Sequence, residues 1–135
     1  MKTEQNKQLL QHIYTEIAKR NVQPLLESLA DDIQWTIIGT TAFSGISHGK
    51  EEVIEKILKP LRDMLVDGPF VFSIDRLIAE GEYVVMQARG KATSRNGKPY
   101  NNTYCIVSRI VDGKLKEMTD YIDTQLLASV LGAGL

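Results

Sequence analysis

The stretch Leu29-Ala30-Asp31-Asp32-Ile33-Gln34-Trp35-Thr36-Ile37-Ile38 divides the chain in two. Its acidic pair closes a helical segment, and the β-branched and aromatic run Ile33–Ile38 opens a short strand. Before it the apolar residues recur at helical spacing. After it, one further helix gives way to alternating strand patterns. Toward the N-terminus, Leu10, Ile13, Tyr14 and Ile17 fall at i, i+3, i+4 and i+7, which predicts a first helix with one apolar face. Asn21 reads as the N-cap of a second, shorter helix, with Pro24 in its first turn and Leu25, Leu26 and Leu29 along it.

Toward the C-terminus, Gly39–Gly49 reads as loop. Lys50–Val66 returns to helical spacing through Val53, Ile57, Leu61, Met64 and Leu65; Pro60 should kink or divide it, and Asp67-Gly68-Pro69 should end it. Strands are predicted over Phe70–Ala79, Tyr83–Thr93, Asn101–Val111 and Lys114–Asp123. Turns at Glu80-Gly81-Glu82, Asn96-Gly97 and Asp112-Gly113 join them. A terminal helical stub carries Leu126, Leu127, Val130 and Leu131. Helices first, then a meandering antiparallel sheet, with no repeat and no linker, make one α+β domain over residues 1–135.

The composition narrows the function classes. A chain of 135 residues, 43% hydrophobic and 24% charged, suits one core and excludes collagenous, low-complexity and disordered classes. Sixteen Lys and Arg against 17 Asp and Glu leave a formal charge of -1, so there is no electrostatic case for nucleic acid or an anionic membrane. Cys105 stands alone, which excludes an intrachain disulfide and a multi-cysteine zinc site. Two histidines, His12 and His48, with no paired carboxylates nearby offer no metal site. No apolar run approaches the roughly 20 residues of a membrane span, and the polar opening Met1–Gln8 does not read as a signal peptide. A soluble cytoplasmic domain is the expectation.

The helix-to-strand junction Leu29–Trp35, the segment Phe43-Ser44-Gly45-Ile46-Ser47-His48-Gly49-Lys50-Glu51-Glu52-Val53, the run Asn96–Tyr104, and Asp112–Leu115 with Tyr121-Ile122-Asp123 together resemble the NTF2-like superfamily. The branch they resemble is the SnoaL-like (polyketide cyclase) and ketosteroid-isomerase-like group. The resemblance covers nearly the whole chain. It implies a cone in which a curved, mixed or antiparallel sheet wraps over three helices and leaves a pocket open at one end. That fold hosts enzymes, binders and assembly modules, so the reaction must be argued from the side chains that reach the pocket.

On the last strand, Met118, Asp120 and Ile122 share one face by alternation. A carboxyl between two apolar residues on a buried face is where desolvation raises a pKa, which makes Asp120 the first candidate acid or base. The resemblance agrees, since SnoaL-like cyclases and limonene-epoxide hydrolases of this fold place a working aspartate there. Arg89 and His48 complete the catalytic candidates. Arg89 matches the arginine of the epoxide-hydrolase set, but Lys91 replaces the aspartate two residues on, and the more apolar face of Val84, Met86, Ala88 and Ala92 puts Arg89 toward solvent or a dimer interface. His48 sits in a loop beside Gly49, where it can serve as acid or base or simply cap a helix. Trp35, Phe43, Tyr104 and Met118 are candidate ligand-binding walls. Asn102, which shares a strand face with Tyr104, is a polar handle for ligand oxygens. Cys105 faces away from Tyr104.

Resemblance also weighs against two chemistries. The missing aspartate removes the water-activating arrangement of epoxide hydrolysis. For steroid isomerisation, the tyrosine position falls on Ile13 and the base on Ile37, and no acid stands near Thr103–Tyr104. Tyr14 is rotated by about 100° from Ile13, so it is not expected to substitute. The expectation is a pocket for a small, uncharged, largely apolar carbonyl or polycyclic compound. With Asp120 it could run cofactor-free isomerisation or cyclisation; the alternatives are a non-catalytic binder or a dimeric interaction module. A homodimer through the sheet is implied by the resemblance alone.

Overall fold

The helix α1 (Lys2–Ala18) forms where its spacing predicts and buries Leu10, Ile13 and Tyr14. The computed structural model describes residues 2–66 and 70–130. Helix α2 (Gln23–Ser28) is capped by the backbone of Val22; Asn21 lies one residue earlier, its Oδ1 accepting the Gln23 N–H at 3.3 Å. The chain is already extended at Leu29, so strand β1 spans Leu29–Ile37 and begins ahead of the acidic pair. Burial explains the difference. Leu29, Ala30 and Ile33 all enter the core, and an irregularity in pairing between Leu29 and Gln34 leaves Asp31 and Asp32 exposed.

Strand β2 (Gly45–His48) lies inside the segment read as loop. It pairs antiparallel with β1, His48 opposite Gln34, and buries Ser47. Nothing in its own composition marks a strand; the edge of β1 supplies the partner groups. The third helix divides, but before its proline. Helix α3 (Lys50–Val53) widens into a π-helical turn over Ile54–Leu58, and α4 (Lys59–Met64) then carries Pro60 in its first turn, where the missing N–H costs nothing. Leu65 is extended and bridges Ser94. The predicted stop, Asp67-Gly68-Pro69, lies outside the described residues, as does Leu131.

Five further strands and a helix follow: β3 (Val71–Glu80), β4 (Tyr83–Thr93), β5 (Pro99–Tyr100), β6 (Thr103–Val111), β7 (Lys114–Ile122) and α5 (Thr124–Val130). The sheet order is β2-β1-β7-β6-β4-β3, with β5 paired to β4. Every pairing is antiparallel except β1 with β7. The sheet is therefore mixed rather than a pure meander, because the early strand β1 returns beside the last one. Asp112 and Gly113 both take positive φ, 50° and 75°, as a two-residue hairpin matched to strand twist requires. The curled sheet closes over the helices around a core that includes Leu10, Ile13, Ile33, Met86, Leu115 and Met118. Fully burying each such side chain contributes about 1.5–3 kcal/mol.

Candidate active site

Inside the curl lies a cavity of about 640 Å³. Its walls come from every layer of the fold: Tyr14 and Ile17 of α1, Trp35 and Ile37 of β1, Phe72 of β3, Tyr100 of β5, Tyr104 and Ile106 of β6, and Asp120 and Ile122 of β7. Leu25, Ile57 and Leu61 close the helical side, and Phe43 and Leu127 close one end. Tyr14, Phe72 and Tyr104 form an aromatic row. The first two rings stack with centroids 5.2 Å apart, and the second pair tilts at 5.5 Å. Gly90, opposite Phe72 across the strands, makes the row possible: a Cβ there would meet the Tyr104 ring at 3.1 Å.

Asp120 is the one carboxylate on the described part of this lining. Its neighbours in register are Ile37 on the parallel side and Ile106 on the antiparallel side, both buried. Two aliphatic flanks supply no charge or hydrogen bond to the carboxylate, and Oδ1 is sealed without a hydrogen-bond partner among the described residues. Burial accordingly pushes the carboxyl up to about 7, and the nearby Trp35 indole N–H offsets part of that shift. Trp35 Nε1 does not meet hydrogen-bond geometry with the carboxylate and is likewise sealed without a partner. A donor and an acceptor thus stand unpaired behind the wall of an apolar cavity. Such a pair suits a ligand oxygen and an exchangeable proton.

Three tyrosines surround this pair. Burial raises Tyr14 well above its ordinary range, helped by the Asp120 charge and then by Tyr104. Tyr104 is raised by burial first, then by Tyr100 and Asp120. Tyr100 is raised by burial as well, and the Asn102 amide, which donates to its hydroxyl at 2.9 Å, moderates the shift. All three stay protonated at neutral pH and remain hydrogen-bond donors. Tyr14 and Tyr100 escaped the sequence reading. Ile13 is wholly buried in the core, while Tyr14 faces the cavity, so the rotation that argued against Tyr14 is what aims it there. Its signal was its place on the apolar helix face; for Tyr100 it was its place in the run Asn96–Tyr104.

The structure brings Asp120, Trp35, Phe43 and Tyr104 together and leaves the other candidates outside. Arg89 stands on the outer face of the sheet, where its guanidinium forks onto Asp75 at 2.7–3.2 Å. Its side chain is 64% exposed. Arg89→Gln is therefore expected to leave thermal stability and ligand affinity within the scatter of wild type, read by calorimetry and titration; a lost activity would return Arg89 to the site. His48 is exposed on the edge strand, and its backbone N–H donates to the Glu52 carboxylate at 3.0 Å. Met118 is core, 1% exposed between Trp35 and Ser108 in register, and forms no cavity wall. Asn102 is spent on structure, its amide holding Tyr100 and its oxygen accepting the N–H groups of Thr103 and Asp123. Cys105 lines an open groove on the outer face. Among the described residues no group of His, Cys, Asp and Glu could hold a metal ion, and no helix is long and apolar enough to cross a membrane.

The model of the SnoaL-like domain matches residues 10–118, from α1 to the strand that carries Asp120. The chain belongs to the SnoaL-like domain family. No curated protein matches it. Solved structures of similar fold include an NTF2-like protein of unknown function from Burkholderia pseudomallei, 24% identical over 95% of this chain and 98% of that one, with a TM-score of 0.81. A protein assigned as a SnoaL-like polyketide cyclase from Jannaschia sp. CCS1 is 16% identical over 97% and 94%, with a TM-score of 0.79. TerC, co-crystallised with polyporic acid, is 21% identical over 93% and 97%, with a TM-score of 0.78. At these identities the likeness shows the fold: a SnoaL-like α+β half-barrel.

Proposed function

We propose that this SnoaL-like protein is a cofactor-free isomerase or cyclase, acting on a small, largely apolar carbonyl or polycyclic compound with Asp120 as the proton-transfer group. The observation that carries the reading is the Asp120 carboxyl, raised to about 7 and the one carboxylate among the described residues that line a mainly apolar cavity. At neutral pH such a group is divided between its two forms, so it can take a proton and give it back. The Asp120 carboxylate removes a proton from the carbon beside the ligand carbonyl, and the electron pair moves onto the carbonyl oxygen. The hydroxyls of Tyr14 and Tyr104 are the donors available to that oxygen. Protonated Asp120 then returns the proton, to another carbon for isomerisation or to the oxygen formed in an aldol-type closure. The cyclase and ligand-bound neighbours of the same fold support the substrate class. The test is hydrogen–deuterium exchange beside the carbonyl of a panel of cyclic ketones and quinones in deuterated water. Exchange that depends on Asp120 is expected; tight binding with no exchange would make the protein a binder.

A homodimer through the outer sheet face belongs to the same proposal. Val71, Ile78 and Tyr121 are 58%, 56% and 47% exposed on the strands. Beside Tyr121 runs the open groove that Cys105 lines. Light scattering at micromolar concentration is expected to return twice the 15.1 kDa chain mass. The single-chain mass would dismiss the dimer and leave the cavity chemistry untouched.

A further inference from the structure

We propose that the ligand of this cavity carries an anionic group on its apolar body, and that Arg20, Lys59 and Arg62 receive that group at the mouth. The proposal rests on the cavity reading above and narrows its substrate class. The buried lining is aromatic, aliphatic or Asp120, whereas of the exposed lining residues Arg20, Val22, Lys59, Arg62 and Lys91 all but Val22 are basic. No glutamate, and no aspartate but Asp120, belongs to the described lining. In a chain of formal charge -1 this excess is local. Cations at the opening of a low-dielectric cavity focus the field onto whatever enters.

Placement supports each. Arg20 follows the end of α1, donates to the Val66 carbonyl, and stands 5.3 Å from the ring centre of Phe70, itself a lining residue. The guanidinium is thereby held across the gap between helix and sheet. Arg62 of α4 lies four residues after Leu58 of the π-helical turn and next to Leu61, both of which line the cavity. Its contact with Asp63 is 3.3 Å between side chains about two-thirds exposed, a pair that yields readily to a ligand. Lys59 meets Glu55 at 2.6 Å, again on an exposed surface. Lys91 also belongs to the lining, but by alternation its side chain shares the outer face with Arg89, so it is left out. An anion at the mouth also orients the ligand. Repulsion keeps the charged end away from ionised Asp120, so the opposite, uncharged end meets the carboxylate.

The test compares two fluorescent probes that differ by one sulfonate: 8-anilinonaphthalene-1-sulfonate and neutral N-phenyl-1-naphthylamine. The sulfonate is expected to bind more tightly to wild type, and to weaken as salt rises from about 50 mM to about 500 mM. Arg62→Gln and the double variant Lys59→Gln/Arg62→Gln are each expected to weaken it about three- to tenfold, with the neutral probe unchanged. Unchanged neutral binding reports that the cavity remains folded. Equal affinity of the two probes, or sulfonate binding indifferent to these variants and to salt, overturns the proposal. Asp120→Asn separates the two readings. Sulfonate binding retained there while exchange chemistry fails in wild type sinks the enzyme and keeps the anionic ligand.

Discussion

Asp120→Asn is expected to stabilise the protein at about pH 8, by roughly 2–4 kcal/mol, while lowering turnover by roughly a hundredfold to ten-thousandfold. The sign follows from the direction of the shift. The folded carboxyl is raised from its ordinary 3.8 to about 7, so between these values the folded state holds a proton that the unfolded state has released. The contribution of this group is therefore largest below about pH 4, falls as pH climbs toward the folded value, and levels off above it. An amide at the same place is never charged and carries no such slope. The difference between wild type and variant isolates this group, because the other shifted carboxyls act elsewhere. Asp32 and Asp75 are lowered by Lys116 and Arg89, so their contributions are present above about pH 4 and vanish only in stronger acid. Denaturant unfolding at several pH values checks the stability half, and deuterium exchange checks the catalytic half. Gain of stability with loss of chemistry is the pattern expected of a group buried for function.

Asn102→Ala is expected to cost about 3–5 kcal/mol, enough to remove much of a small domain's stability. Asn102 is 1% exposed. Its amide donates to the Tyr100 hydroxyl at 2.9 Å, and its oxygen accepts from Thr103 N–H at 2.8 Å and Asp123 N–H at 3.0 Å. Alanine leaves the buried Tyr100 hydroxyl without this donor and the Thr103 and Asp123 N–H groups without their acceptor, and frees the crossing from β5 to β6 that sets Tyr104 into the cavity. A ligand handle would behave in the opposite way: affinity would fall with thermal stability unchanged. Differential scanning calorimetry beside a binding titration separates the two roles.

The contrast between Asp120 and Asn102 shows what the sequence could carry. Alternation along β7 placed Asp120 between apolar neighbours on a buried face, and the cross-strand partners Ile37 and Ile106 completed that environment. For a regular strand with a buried face, alternation is enough. Asn102 lies just before β6, in the irregular segment after β5, where alternation no longer holds and polar side chains serve the backbone. Arg89 followed the strand pattern to the outer face, against its likeness to an epoxide-hydrolase arginine. Strand β2 and the parallel pairing of β1 with β7 escaped because they depend on partners distant in the chain, not on local composition. Tyr14 is the neighbour of Ile13, where the steroid-isomerase likeness puts the tyrosine; the packing of α1 against the sheet decides which of two adjacent buried residues sees the cavity. The neutral total charge hid the mouth as well, since balance over 135 residues says nothing of where three basic residues stand.

The central claim is a carboxyl poised near neutrality in an apolar cavity. Its most direct measurement is the pH titration of the Asp120 side-chain carboxyl carbon by NMR, assigned through Asp120→Asn. A midpoint of about 7 is expected. A midpoint of about 4 or below, the ordinary range of a solvated aspartate, would contradict the account.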